Sequence, residues 1–251
     1  MDQTYLTEAI ILNRQPFRED DLQITVYSRD RGKLFLVARG GRKAKSKLAA
    51  HLEPLCRTEI MVVRGRRYDY AGSAVSADCF GLLKSDLEKI NAANKAAKMI
   101  VGSVKEGVPD EGIYNLTLDL LNELNRGKLK PTLVSAFFTL KFLSRLGLAP
   151  ELYHCVLHRE KIQPGGNRFD FARSGIVCPK CHASTGSLPE MSHPVPSLSK
   201  ESNLPISDNS IKIMRLVLQQ DFGQLKKIKT GVKIETEIIK LIDLFYQYSI
   251  N

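Results

Sequence analysis

The spacing of apolar residues changes once along this 251-residue chain, near residue 80, and that change restricts the fold more than any motif does. Before it the pattern is that of strands. YLTEAIILN opens with β-branched and apolar residues, and LQITVY (Leu22 to Tyr27) and KLFLVA (Lys33 to Ala38) flank SRDRG, where Gly32 can take the positive φ of a hairpin. CRTEIMVV (Cys56 to Val63) and YDYAGSAV (Tyr68 to Val75) form a second pair around Gly65. From about Lys84 the spacing becomes helical, with Leu87, Ile90, Ala93, Ala97, Val101 and Val104 on one face. Pro109 and Asp110 start a second helix through Ile113, Leu116, Leu120 and Leu124, with Gly127 as its C-cap. Pro131 opens a third, which Gly147 ends. Strands first and helices afterwards predict an α+β fold. Five strands in so short a segment suit a closed barrel, and the oligonucleotide-binding (OB) type is the commonest five-stranded solution.

This reading divides the chain into an OB-type barrel over 1–80, a helical bundle over 81–150, a cysteine-bearing insertion over 151–185 and C-terminal helices over 186–251 that pack back on the bundle. Residues 186–206 are rich in Ser and Pro and read as an irregular connection. Ile211 to Phe222 and Ile234 to Tyr248 are amphipathic.

The insertion carries the strongest chemical signal. CVLH (Cys155 to His158) and CPKC (Cys178 to Cys181) are two pairs of x2 spacing separated by nineteen residues. Each pair turns two ligands toward one point, and two such knuckles complete the tetrahedron of a closed structural zinc site, here Cys155, His158, Cys178 and Cys181. His154 and His182 flank the pairs as alternative fourth ligands. Buried thiols beside an unrelated histidine are the plainer alternative. His158-Arg159-Glu160 with CPKC also imitates a zinc-deaminase signature, but Val177 stands where that signature has proline, and a fourth protein ligand would fill the position catalysis must leave open. Cys56 and Cys79 lie apart from these and are expected to be small core hydrophobes.

Charge points to the partner. The formal net charge is +10, the mark of a polyanion or an acidic surface as binding partner. Between Arg39 and Arg67 nine cations face two acids, and RGGRKAKSK (Arg39 to Lys47) alone holds five. It is not a phosphate-binding P-loop, because Arg39 and Ala44 occupy both required glycine positions. Arg39, Arg42, Lys43, Lys45, Lys47, Arg64, Arg66 and Arg67 are instead candidates for a phosphate track, with Tyr27, Phe35, Tyr68 and Tyr70 as candidates for base stacking or for core. LKKIKTGVK (Leu225 to Lys233) is a second basic cluster that could extend the track or merely link two helices. REDD (Arg18 to Asp21) reads as a solvated turn. The chain shows no Ser-His-Asp set, HExxH or GxGxxG, so an enzyme is not expected. No window is apolar enough to span a bilayer and the start lacks a basic signal region, so a cytoplasmic protein is expected.

Three stretches together resemble the RecO family of bacterial DNA-repair recombination mediators: TEAIILNRQPFREDDLQITVYSRDRGKLFLVARGGRKAKSKLAAHLEP, FLSRLGLAPELYHC and FDFARSGIVCPKC. The resemblance implies a nucleoid-associated protein without enzymatic turnover. Such a protein binds single- and double-stranded DNA, anneals complementary strands, and works with RecR and RecF to load RecA on strands coated with single-stranded DNA-binding protein (SSB). It also implies that Arg39, Arg42, Lys43, Lys45 and Lys47 fall on the basic DNA-facing run, that Cys155, Cys178 and Cys181 fall on zinc-ligand positions, and that His158 stands where a fourth cysteine would be. Binding of the acidic C-terminal tail of SSB is implied as well, and Phe138, Lys141, Phe142 and Arg145 on the third helix are the candidates for it. A zinc-ribbon RNA-binding protein on the same barrel is the alternative.

Overall fold

A computed structural model describes residues 4–184, 203–226 and 230–250. The contacts divide it into two compact units, Met1–Ser135 and Ala136–Asn251. The first holds strands β1 (Thr4–Phe17), β2 (Asp21–Ser28), β3 (Gly32–Ala38), β4 (Arg57–Val63) and β5 (Asp69–Asp78), then helices α1 (Gly81–Lys84), α2 (Leu87–Ser103) and α3 (Glu111–Arg126). Helix α4 (Pro131–Arg145) contains the boundary. The second unit holds β6 (Arg168–Asp170), β7 (Gly175–Val177), α5 (Pro179–Ser184), β8 (Asn203–Pro205), α6 (Asp208–Gln219), α7 (Phe222–Leu225) and α8 (Val232–Ile250). The α+β order is the expected one, and the Ser- and Pro-rich stretch 186–206 lies outside the described residues except for its last four.

The five N-terminal strands close into a barrel of order β1-β2-β3-β5-β4. Closure depends on β1, whose first part pairs with β4 (Thr4↔Val63 to Ile10↔Arg57) and whose second part pairs with β2 (Ala9↔Ser28 to Phe17↔Asp21). The register shifts between Ile11 and Asn13, and a bulge there bends the strand from one partner to the other. Alternate residues fill the interior: Leu22, Ile24 and Val26 from β2 meet Ile11, Leu36, Ile60, Val62 and Ala74, all buried. The β2–β3 turn uses Gly32 at φ 68, and a side chain there would collide with the backbone of Val108.

Helices of the first unit cover part of the barrel. The Tyr27 hydroxyl donates to the Asp110 carbonyl (3.3 Å), Tyr114 donates to Glu8 (2.9 Å), and the Lys33 ammonium donates to the Val101 carbonyl (2.7 Å). Tyr27 is therefore core, fully buried, and burial pushes its phenol up to about 12. Helix α2 is capped by Asp86, which accepts from the amides of Glu88 and Lys89, and α3 by Asp110, which accepts from that of Ile113.

The two cysteines of the barrel segment depart from expectation. Cys56 is buried as expected, but it is bonded to Cys79 in a disulfide. The reason is register. Antiparallel β4 and β5 place Arg57 opposite Asp78, and one step further along the same ladder sets Cys56 against Cys79.

In the second unit a three-stranded sheet of order β7-β6-β8 lies under α8. Phe169 touches Phe171 at 5.1 Å and Phe245 at 5.4 Å between ring centroids, and Phe171 stacks on Tyr248 at 5.3 Å. Phe138 and Phe142 on α4 are fully buried and stack on each other at 5.7 Å. No helix among the described residues is long and apolar enough to cross a membrane.

Phe169→Ala should cost about 3–5 kcal/mol of unfolding free energy, because a fully buried ring is removed from a junction of three aromatics. Urea unfolding followed through the second unit checks this.

Candidate metal centre and nucleic-acid interface

The metal centre is assembled by backbone hydrogen bonds that bring two distant turns together. The first turn follows Leu152 and Tyr153, which the Arg215 guanidinium holds by donating to the Leu152 carbonyl and lying over the Tyr153 ring at 4.5 Å. Cys155 donates its N–H to the Glu160 carbonyl (2.8 Å) and accepts from Arg159 (2.9 Å), so the chain makes one tight turn from Cys155 to Glu160. Arg159 closes it at φ 64. The second begins where β7 ends. Cys178 precedes Pro179, the first residue of α5, and its carbonyl accepts from the His182 amide (3.0 Å), so Cys181 lies one helical turn on. The turns are held side by side by Ile176 to Glu151 (3.0 Å) and Val156 to Ile176 (2.9 Å), each amide to carbonyl. Gly175 makes this approach possible, since a Cβ there would lie 2.6 Å from Val156 Cγ1 and 2.7 Å from the Glu151 carbonyl oxygen.

The outcome is a group of four ligand atoms, from Cys155, His158, Cys178 and Cys181, all within 4.8 Å of one another. His158 Nδ1 is 3.2 Å from Cys181 Sγ, and its Nε2 is 3.0 Å from Glu160. The alternative ligands lie outside the group: His154 is exposed and pairs with Glu151 at 3.7 Å, and His182 is exposed on α5. Electrostatics fit a divalent cation. Burial opposes ionisation of Cys155, but the amides of Cys178, His158 and Leu157 and the His158 ring outweigh it and hold the thiol at about 6. Burial and hydrogen bonding to the other two thiols push Cys181 the other way, up to about 12. Cys155 and Cys181 are thus pushed in opposite directions, and a cation between them would let both ionise. Ligands of one zinc lie about 3.3–3.8 Å apart, a spacing that this group approaches.

The basic loop is the second feature. Arg39, Arg42, Lys43, Lys45 and Lys47 are exposed, as are Arg64, Arg66 and Arg67 between β4 and β5. The loop is pinned by the turn between β1 and β2. Asp21 accepts from the Gly40 amide (2.8 Å), the Asp20 carbonyl from the Arg42 amide (2.9 Å), and the Glu19 carbonyl from the Arg42 guanidinium (2.8 Å), while the Asp20 carboxylate pairs with Lys43 at 3.3 Å. Lys45, Lys47 and Arg66 make no ion pair among the described residues. Arg18, at φ 56, lies over Phe17 (5.2 Å) and Tyr68 (5.8 Å), and Arg67 also lies over Tyr68 (5.5 Å). Arg39 sits over Tyr70 at 4.1 Å.

Comparison with known proteins places the chain in a family. Residues 1–80 match the family model described as Recombination protein O N terminal, and residues 84–198 match Recombination protein O C terminal. A protein named DNA repair protein RecO from Roseiflexus sp. is 31% identical over 94% of this chain and 78% of its own length. The proteins of the same name from Desulforudis audaxviator and Desulforamulus reducens are 33% and 26% identical, over 70% and 97% of this chain and 70% and 89% of their own lengths. The chain belongs to the RecO family. As a RecO-family protein it acts in DNA repair by recombination.

In this RecO-family chain the four metal ligands inferred from spacing come together as a set. The peptide-groove expectation needs a correction. Phe138 and Phe142 are interior residues and offer no surface, so of the four residues on α4 only Arg145, exposed, and Lys141, half-buried, reach the outside. Leu225 to Lys233 falls partly on residues 227–229, outside the described residues. What the sequence concealed was the role of REDD. Arg18 to Asp20 form an exposed turn, as expected, but with the half-buried Asp21 at the head of β2 the segment also anchors the basic loop. Asp21 is separated from Gly40 by a whole hairpin, so only the β2–β3 pairing (Leu22↔Ala38) reveals that they meet.

Two outcomes follow for the site. Glu160→Gln should weaken metal binding about tenfold, since a carboxylate on the far nitrogen of a ligating imidazole orients it and raises its basicity; competition with a chromophoric chelator reads this. Asp21→Ala should speed amide hydrogen exchange at Gly40 about tenfold while leaving Ile24 protected, because it removes a charged acceptor from the loop but nothing from the barrel core.

Proposed function

We propose that the chain is a non-catalytic recombination mediator of the cytoplasm and nucleoid. It binds single- and double-stranded DNA, anneals complementary strands, and with RecR and RecF helps place RecA on strands coated with SSB. The observation that carries this reading is the pinned basic surface: eight exposed cations on two loops of one closed barrel, with Arg39 and Arg64 lining the same cleft. Bringing two polyanions together requires that their repulsion be lowered, and cations fixed on a rigid scaffold do so with little ordering cost. In this reading Arg39, Arg42, Lys43, Lys45, Lys47, Arg64, Arg66 and Arg67 follow the phosphates.

Zinc is the metal proposed for Cys155, His158, Cys178 and Cys181. Four protein ligands leave no open position, so its role there is structural: it would fasten the first turn to the β7–α5 junction. Nothing in the proposal calls for turnover. The acidic tail of SSB is assigned to the cationic positions Lys141 and Arg145.

Replacing Lys45, Lys47 and Arg66 by glutamate leaves the hydrogen bonds that pin the loop intact. The variant should show a salt slope of log affinity for single strands smaller by about 2, at about 0.7 for each phosphate that is no longer neutralised. Annealing of complementary strands pre-coated with SSB should slow at least in parallel. An unchanged slope and unchanged annealing would remove these loops from the function. Lys141→Glu with Arg145→Glu should weaken binding of an SSB tail peptide in a fluorescence titration, and unaltered binding would take α4 out of that site.

A further inference from the structure

The barrel surface holds a cleft of about 410 Å³ beside the basic loop, lined by Arg39, Leu48, Val63, Arg64, Tyr70 and Gly72. Its origin is the closure of the barrel. Strands β3 and β5 are joined by only two residue pairs, Leu36↔Asp69 and Val37↔Tyr70, after which β3 leads away into the basic loop. Strand β5 carries a bulge at the same place. Its pairing with β4 steps from Met61↔Ser73 to Val62↔Ala71, so Gly72 is left without a partner in that ladder. A Cβ on Gly72 would lie 2.9 Å from both Met61 Cε and Val63 Cγ2. Met61 and Val63 thus lie directly against the Gly72 backbone, an approach that a side chain there would prevent.

The lining is selective. Leu48, Val63 and Tyr70 are half-buried and provide apolar and aromatic walls, whereas Arg39 and Arg64 are exposed at the rim. Among the described residues, no carboxylate lines the cleft. Arg39 holds its Cζ 4.1 Å from the centre of the Tyr70 ring, so its guanidinium is already engaged in a cation–π contact. A guanidinium over a ring can offer its free face to a base while its edge still donates to a neighbouring phosphate. The volume is in the range of small-molecule sites. A flat, π-rich group attached to an anionic backbone satisfies the apolar walls and the cationic rim together.

We propose that this cleft accepts one unpaired nucleobase, stacked between the Arg39–Tyr70 pair and the aliphatic wall, while Arg64 meets the adjoining phosphate. This rests on the nucleic-acid reading above and adds to it a basis for strand preference. A base in duplex is already stacked and paired and cannot enter without extrusion, so the cleft favours single strands where the basic track alone would not.

The test compares wild-type protein with three probes of equal length: an oligothymidylate, the same backbone carrying abasic sites throughout, and a duplex. Two variants accompany it. Gly72→Leu reshapes the cleft by forcing Val63 and Met61 aside, and Tyr70→Leu removes its aromatic wall; circular dichroism melting confirms that each is folded, and either alone suffices. Wild type should bind the base-bearing strand about tenfold more tightly than the abasic one at matched salt. In the folded variants that ratio should fall toward one, with the salt slope for the abasic strand unchanged. If wild type binds both strands equally with a steep salt slope, the cleft is not a base site, although the phosphate track stands. A ratio that persists in the variants places base contact elsewhere and also overturns the proposal. If neither strand shows salt-dependent binding, the nucleic-acid reading and the cleft fall together.

Discussion

A bulge in the first strand holds the N-terminal half of this protein together. Strand β1 spans fourteen residues and must pair with β4 at one end and β2 at the other. A straight strand cannot serve both sides of a small barrel, because closure requires tilt and bending. Near Leu12 the ladder slips, and the strand turns. Leu55 and Cys56 lock the bend from the opposite side: Leu55 donates to the Ile11 carbonyl (2.8 Å) and Ile11 donates to the Cys56 carbonyl (3.0 Å). With the barrel closed, Arg39 at the head of the basic run and Arg64 between β4 and β5 border one cleft.

Gathering cations in this way is electrostatically unfavourable in the absence of a partner, and the chain counters it locally. The turn between β1 and β2 offers carbonyls and two carboxylates to the base of the loop. Several arginines lie over aromatic rings, Arg39 on Tyr70 and Arg31 and Arg64 on Tyr5. These contacts order guanidinium groups that would otherwise lose rotamer entropy on binding. The remaining lysines stay in water, where counterions screen them until a polyanion displaces the counterions. Surface ion pairs such as Lys43 with Asp20 contribute little to stability, so their value is in placing the loop.

The cysteine-bearing segment meets a different constraint. Its sheet has strands of three residues each, too short to be stable by pairing alone. Two things add to it. Phe169 and Phe171 reach α8 and share its aromatic core, and the backbone bonds of Glu151, Val156 and Ile176 bring the two knuckles within reach of a single ion. The Cys155 thiol, which surrounding amides hold near neutral pH in its titration, offers such an ion its first negative charge.

Local patterns were legible because they are written in neighbouring residues. The change from period two to period 3.6 near residue 80, Gly32 in its hairpin, Asp110 as a cap, Pro131 at the head of α4 and the x2 spacing of the ligand pairs all act over four residues or fewer. Other features depend on which segments come to lie together, and no window of sequence carries that. The Cys56–Cys79 bond follows from the β4–β5 register, the anchoring of Gly40 by Asp21 from the β2–β3 pairing, and the Gly72 cleft from a bulge at the closure of the barrel. Burial removed Tyr27 and both Phe138 and Phe142 from the surface, since an aromatic ring next to cations in sequence can still face inward. The sequence by itself therefore determined the element types, the three cysteines of the candidate metal group and the sign of charge a partner would carry. Tertiary structure alone decided which charges share a face and which rings remain open to a ligand, because these depend on strand closure and packing between residues far apart in the chain.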